Sequence, residues 1–484
     1  MGRKIAVIGA GADAVATVSQ LIAQRDTQDS VYQDDQITWI RDCSHKIENF
    51  GISVNTIWIT LLATNTTIST IDYFKRFDAL QKIGLKFIGF GARRDKNFHV
   101  LFDPCEISMH LDERKVCEFY WENVQKQHFN LELVDKRVGS IEFTDDKALV
   151  DGEEFDFVVD CVRGGLWDKD AYTPAFFNPT DTKLTINRKI DGDWDYTAYI
   201  ACEHGYLTGI PTQDAQTWIY SYDSDITTEE EANADFSKHC EVKKYCSYKK
   251  TESDHLTSNY MIHENKMYSR CGRALGMNDD LTGYTNYVET DAAEAIAEFL
   301  FSDPERPCNN MMRMEVEERW NDLRIDHSTL MAFYVQYGAQ YGTKFWDKTR
   351  NDACRFLEDK DLHSADRMEV YDKIENMLPE EENLRLDYHR HMAQEEYHLR
   401  QRMTDNSDEP YRMLGPYQSL CQASHGLGAA YAKYFPMMSP LWEPPEKFGE
   451  INLDPIVGGQ FRKRTVKAPK PTRCTIICVS NRHT

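Results

Sequence analysis

Close to its start the chain runs from a buried strand into a glycine turn and a helix, and that junction constrains the fold more than any other segment. Lys4-Ile-Ala-Val-Ile8 is short and mostly apolar, as expected of a parallel strand covered on both faces. It passes directly into Gly9-Ala-Gly11-Ala-Asp-Ala14, and a helical pattern follows from Val15 to Gln24. Gly9 permits the tight turn, Gly11 lets backbone approach a pyrophosphate, and Ala14 allows close packing of helix on strand. Glycine spacing of this kind is common by itself. With a strand before it and a helix after it, it reads as a dinucleotide-binding turn in an α/β fold.

A polar loop leads to a second strand, Ile37–Ile40, near whose end an acidic residue should meet a ribose. Asp42 is the candidate, although Arg41 holds the usual place and a solvated loop carboxylate fits Asp42 equally well. Val138 to Val150 alternates like a hairpin turning at Asp145-Asp146. Next, Phe155-Asp-Phe-Val-Val-Asp160 ends in Gly164-Gly165. It reads either as the strand that returns the chain to a cofactor, which would place Asp160 there, or as an ordinary parallel strand. Beyond Thr290 the pattern turns helical: 292–301, 311–320, 328–341 and 364–403. We expect a cofactor-binding module with an interleaved sheet over 1–300, a helical module over 301–460, and a loosely held basic tail over 461–484.

The formal net charge of −23 argues against a general affinity for nucleic acid or anionic membranes. Thirteen scattered cysteines without a repeated spacing suit a reduced, cytoplasmic protein. No apolar run is long enough to span a bilayer, and the first strand leaves no room for a secretory signal. Two metal-like groupings stand out: His239, Cys240, Cys246 and His255, and the cluster His389, His391, Glu395 and His398. The first lacks a paired-cysteine element and the second lacks a second helical copy, so no metal site is expected.

Four further segments follow the turn in order. Gly51-Ile52-Ser53-Val54 resembles a flavin strap, with Ser53 and Val54 where Gly and Glu are usual. Gln81-Lys82-Ile-Gly-Leu-Lys86-Phe87 is similar to a Tyr-Lys-x-Ala-Ile-Lys-Phe strand. Gly205-Tyr-Leu-Thr-Gly-Ile210-Pro211 resembles a Gly-Trp-x-Trp-x-Ile-Pro box in which Tyr206 and Thr208 replace the tryptophans. Cys271-Gly-Arg-Ala-Leu-Gly276-Met-Asn-Asp-Asp280-Leu-Thr282-Gly283 is similar to Gly-x-Ala-Ala-Gly followed by Pro-Leu-Glu-Ser-Thr-Gly. A fifth, Phe333 to Arg350, resembles an aromatic helix pair, with Gln336 in place of a His.

Together these resemble the flavin-dependent halogenases of the tryptophan-halogenase type, including compact virus-encoded members. The resemblance implies a two-dinucleotide-binding-type FAD fold, in which a parallel sheet and an interleaved antiparallel sheet carry a C-terminal helical substrate module. FAD would touch Gly9, Gly11, Ala14, Asp42, Gly51, Ile52, Ser53, Asp160, Gly276, Thr282 and Gly283. A halide ion would sit on the backbone of Thr282 and Gly283. Lys82 would deliver hypohalous acid, and Asp280, with Asp279 as a rival, would position or deprotonate the substrate. The box ending at Ile210-Pro211 would keep the substrate off the flavin. Strand alternation would set Lys82 and Lys86 on one face, opposite Ile83, Leu85 and Phe87. No second glycine fingerprint is present, so a separate reductase would supply reduced FAD. An electron-rich aromatic is the expected substrate, and self-association is left open. A flavin monooxygenase and a non-catalytic flavin-binding protein are the rival readings.

Overall fold

The computed structural model describes residues 2–362 except 28–30, 42–46, 48–49, 67, 69–71, 73–74, 83, 91–97, 102–107, 129, 190–193, 195, 241–248, 253–254, 277–280, 282–284, 302–307, 337–340 and 360–361. All described residues lie in one compact unit, Met1–Pro444.

β1 (Lys4–Ile8) is the middle strand of a five-stranded parallel sheet. The order is Tyr268–Arg270, Phe157–Asp160, β1, β2 (Gln36–Arg41) and Leu131–Asp135. Its side chains alternate between two cores, as a strand covered on both faces requires. Ile5 and Val7 pack with α1 (Ala12–Thr27) and the Thr285–Phe301 helix. Ala6 and Ile8 pack on an antiparallel meander, Ile141–Phe143, Ala148–Val150 and Glu153–Phe155. The hairpin turns at Asp145-Asp146, closed by Thr144 N–H donating to the Lys147 carbonyl at 2.8 Å.

The segment expected to be a strap loop is a strand. β3 (Gly51–Val54) pairs antiparallel with Ser108–Asp112, which pairs with β4 (Leu80–Lys82). Between Lys82 and Gly84 the chain changes sheets. β5 (Gly84–Ile88) belongs to a seven-stranded sheet ordered Lys249–Glu252, Thr182–Arg188, Gln216–Tyr222, Tyr206–Pro211, Tyr196–Ala201, β5 and Phe98–Leu101. Lys82 and Lys86 therefore lie on different strands in different sheets, which corrects the shared-face expectation. A period-two pattern reports which way side chains point along one strand, and it is silent on a strand that breaks.

On the seven-stranded sheet Phe87 is stacked between Tyr199 (5.0 Å between ring centroids) and Tyr334 (4.6 Å). Tyr334 comes from Asn310–Gln336, a single 27-residue helix where the pattern predicted two pieces. Trp346, from Lys344–Leu357, donates to the Cys202 carbonyl at 2.7 Å. These aromatics form a core, as stripes at helical spacing usually do. Among the described residues no helix is long and apolar enough to cross a membrane.

Glu317 ties the long helix to the parallel sheet by accepting from Met261 N (3.1 Å) and Ile262 N (2.6 Å). Burial pushes its carboxyl up to about 7. A carboxyl raised on folding contributes stability while protonated and loses that contribution as pH rises. Stability should therefore fall from about pH 4.5 to about 7 through this group. The Glu317→Gln variant should flatten that part of the profile in chemical denaturation, and an unchanged profile would rule the assignment out.

Candidate functional site

At the C-terminal end of β1 the turn is anchored to its neighbours. Gly9 N–H donates to the Ile40 carbonyl at 3.0 Å, and Trp39 Nε1 donates to the Gly9 carbonyl at 2.8 Å. Gly9 has φ +153°, and a Cβ there would stand 2.9 Å from Cys161 Cβ and 3.1 Å from Ala14 Cβ. A side chain would force strand and helix apart, so glycine and alanine are both required. Beyond the turn, the N-terminus of α1 presents free N–H groups and the positive end of a helix dipole. Two buried carboxylates already sit there. Glu113 Oε1 accepts from Ala12 N at 3.3 Å, and Asp13 Oδ1 accepts from Ala14 N at 3.0 Å. Asp13 Oδ2 also accepts from Arg273 N at 2.9 Å, while the Arg273 guanidinium pairs with Glu113. Burial raises the Asp13 carboxyl above the ordinary range, an effect that Arg273 opposes. A Cβ on Gly11 would meet Asp13 Oδ1 at 2.7 Å, Glu113 Oε1 at 3.3 Å and Arg273 Cζ at 3.5 Å.

A second cluster forms on the small antiparallel sheet. Ser53 lies directly opposite His110, and so does Leu80, with Lys82 two residues further along β4. Ser53, His110 and Lys82 therefore project from one face. Lys82 is only 3% exposed, and its Nζ donates to Ser53 Oγ at 2.7 Å. His110 is fully buried, with Nε2 at 2.8 Å from Thr197 Oγ1. His110 Nδ1 has no hydrogen-bond partner among the described residues. Burial, reinforced by the Lys82 cation, holds His110 well below its usual titration range, so the ring is neutral.

The strap strand touches the Gly205–Pro211 segment. Gly51 N–H donates to Thr217 Oγ1 at 2.7 Å, and a Cβ on Gly51 would lie 3.0 Å from Ile210 Cγ2. Gly209 faces Trp218 across the pair, and a Cβ on Gly209 would lie 2.6 Å from the Trp218 ring. The indole, 5% exposed, thus packs against a glycine, on the strand next to the segment that lacks tryptophan.

The third feature is a small cleft between the long helix and the Phe176–Asn178 segment, lined also by His255, Gly276, Arg324 and Ser328. Arg324 is 9% exposed, lies 4.7 Å over the Phe176 ring, and has no hydrogen-bond partner at Nε among the described residues. Gly276 adopts φ +82°, where a Cβ would strike the Leu256 carbonyl oxygen at 2.0 Å. That fixes glycine at the exit of the Gly272–Leu275 turn.

No protein-family model and no curated protein sequence matches the chain. Solved structures do. The tryptophan 6-halogenase SttH from Streptomyces toxytricini matches with a TM-score of 0.66 at 15% identity, over 88% of this chain and 91% of that one. Tar14, a tryptophan C-6 flavin-dependent halogenase (chlorinase) from taromycin biosynthesis, gives 0.66 at 13%, over 88% and 90%. Xcc4156, a flavin-dependent halogenase from Xanthomonas campestris, gives 0.63 at 12%, over 74% and 83%.

The fold is that of the flavin-dependent halogenases. Such a fold implies FAD, and the turn fits it in one specific way. Glu113 Oε1, on the Ala12 N–H, occupies the position where a pyrophosphate oxygen would accept, and the guanidinium beside it is the cation a pyrophosphate wants. A pyrophosphate approaching this turn would meet the Glu113 carboxylate on the Ala12 N–H.

Among the residues read from sequence, the structure places Gly9, Gly11 and Ala14 at that turn. It joins Gly51, Ile52, Ser53, Lys82, Gly205, Ile210 and Pro211 across two adjoining sheets, and it sets Gly276 at the cleft. Asp160 anchors a loop. Its carboxylate is fully buried and accepts from Val162 N, Leu166 N and the Tyr268 hydroxyl, fixing the loop after its own strand. Asp42, Asp280, Thr282 and Gly283 lie outside the described residues, as do Asp279, Cys246 and the 389–398 cluster. Sequence reading missed His110, Glu113, Arg273 and Trp218. A signal existed only for the turn, since an aspartate inside the glycine pattern puts negative charge where phosphate would lie.

Proposed function

We propose that this chain is a halogenase that uses reduced FAD, O2 and a halide ion to halogenate an electron-rich aromatic. One observation carries the reading most: a lysine 3% exposed, held by the strap residue Ser53 on a sheet adjoining the Gly205–Pro211 segment. Bound reduced FAD, with O2, supplies the oxidising equivalent that turns halide into hypohalous acid. The chain's residues then govern where the halogen goes. Ser53 Oγ accepts one hydrogen from Nζ and fixes its direction. The Lys82 ammonium gives a proton to the oxygen of hypohalous acid, and the amine nitrogen so freed takes the halogen, forming an N–X bond as the X–O bond breaks and water leaves. The aromatic ring then attacks the halogen, the N–X electron pair returns to nitrogen, and the proton lost by the ring goes to that nitrogen, restoring the ammonium. Neutral His110 beside Lys82 adds no second cation that would repel an incoming electrophile.

The cleft at Gly276 is the proposed substrate site. Phe176 and Phe177 offer it aromatic walls, and Arg324 Nε offers a donor. Asp280 remains the proposed substrate-positioning carboxylate, and Thr282 with Gly283 the proposed halide site. A separate reductase supplies reduced FAD. Incubation with a partner reductase and a panel of indoles, phenols and pyrroles tests the reading. New product should form only when bromide, reduced FAD and O2 are all present. Product formed equally well without halide would overturn it.

A further inference from the structure

A cluster remote from the lysine is built from three different ligand types. Cys202 follows the Tyr196–Ala201 strand, in a turn closed by its own N–H donating to the Gly205 carbonyl at 2.9 Å. Asp235 and His239 lie four residues apart on the Glu229–Cys240 helix, so they share one face. Cys202 Sγ, one Asp235 oxygen and one His239 ring nitrogen all lie within 4.8 Å of one another. Cys202 is fully buried, Asp235 is 5% exposed, and the His239 side chain is 22% exposed.

We propose that Cys202 Sγ, Asp235 Oδ1 and His239 Nε2 bind a zinc ion, with one water as the fourth ligand. The donor set is soft enough to exclude magnesium and calcium and matches the mixed sulfur, nitrogen and oxygen sites of zinc. A plain aspartate–histidine ion pair explains the geometry less well. His239 Nε2 is 3.4 Å from Asp235 Oδ1, yet it makes no hydrogen bond although buried. Asp235 is oriented by its other oxygen, which accepts from the Tyr220 hydroxyl at 2.9 Å and His204 N at 3.0 Å. Outer hydrogen bonds of this kind aim a carboxylate at a metal. The turn carrying Cys202 is pinned as well, by Trp346 on the Cys202 carbonyl and by Thr227 on the His204 carbonyl. Binding would convert the thiol to a zinc-bound thiolate and release one proton.

The site does not take part in the proposed reaction. Tyr196 lies opposite Gly84, just after Lys82, and Cys202 is six residues further along, about 20 Å at the usual rise of a strand. Zinc there would clip the Glu229–Cys240 helix to the turn that starts the Gly205–Pro211 segment, so its role is structural.

The test uses full-length protein stripped with a chelator and titrated with zinc against a competing indicator, then with cobalt as a spectroscopic substitute. About one zinc per chain should bind, raising the thermal midpoint, and cobalt should give a thiolate charge-transfer band. His239→Ala, at a partly exposed position, should weaken zinc binding by at least roughly tenfold with an unchanged circular dichroism spectrum. Cys202→Ser should abolish the cobalt band. Failure of the parent protein to bind zinc at micromolar concentration, or full retention of stoichiometry and affinity in His239→Ala, would overturn the proposal.

Discussion

Lys82→Ala loses halogenation by a factor on the order of a thousand, while FAD affinity and hydrogen peroxide release stay near those of the parent protein. The split is expected because Lys82 acts after the flavin has reacted with O2. Hypohalous acid is small and diffuses, and only a fixed donor can deliver it at one point. Lys82→Arg should not restore activity, because guanidinium is not a nucleophilic amine at neutral pH. Ser53→Ala should cost less, roughly fivefold to tenfold, the worth of one hydrogen bond that directs Nζ. Lys86 provides the control. It is 1% exposed on β5, 5.1 Å over the Tyr196 ring, in a different sheet from Lys82. Lys86→Met, which keeps the stem, should leave the halogenation-to-peroxide ratio unchanged. Product chromatography, a peroxide assay and flavin fluorescence read the three quantities. Full halogenation by Lys82→Ala would remove the observation on which the function rests.

Glu113→Gln should bind FAD more tightly than the parent protein, by roughly tenfold. At an effective dielectric of about 20, two like charges about 5 Å apart repel by roughly 3 kcal/mol, and part of that is relieved as the carboxylate moves aside. Glutamine keeps the acceptor on Ala12 N–H, so the turn should remain folded. Arg273→Ala should weaken FAD binding by a similar factor, because two carboxylates then face the pyrophosphate with no cation between them. Its stability should fall by about 1–3 kcal/mol, as expected when the exposed cation paired with a buried carboxylate is removed. Gly11→Val should also lose FAD. Its Cβ would strike Asp13 inside the free protein, so loss there reports both blocked approach and a disturbed turn. Titration of each apoprotein with FAD, followed by fluorescence, checks all three. Equal affinity for the parent and Glu113→Gln would mean the carboxylate is not in the pyrophosphate's place.

The parallel sheet was legible because its signals are local. Lys4–Ile8, the glycine turn and the first helix are contiguous, and so are the Asp145-Asp146 hairpin and the strand ending at Asp160. Lys82 was legible from the resemblance alone; its burial and its bond to Ser53 depend on β3 and β4 meeting through Ser108–Asp112. His110 had no sequence signal, because its role follows from the residues opposite it in register. The same limit hid the change of sheet between Lys82 and Gly84, which separates Lys82 from Lys86. Strand position predicts where the Asp160 carboxylate lies, and only the structure shows that Val162, Leu166 and Tyr268 donate to it. Cys202 is distant in sequence from Asp235 and His239, and spacing rules cannot assemble groups that a sheet turn and a helix bring together.

The measurement that bears most directly on the central claim is the mass of the product formed with bromide under isotopically heavy O2. A halogenase places bromine on the ring and sends the oxygen to water. The product should therefore show the near-equal bromine isotope doublet and no heavy oxygen. Tyr206 and Thr208 stand where the family's box carries tryptophan, and a flavin monooxygenase with that opening would leave the opposite record. A product carrying one heavy oxygen atom and no bromine would contradict the account.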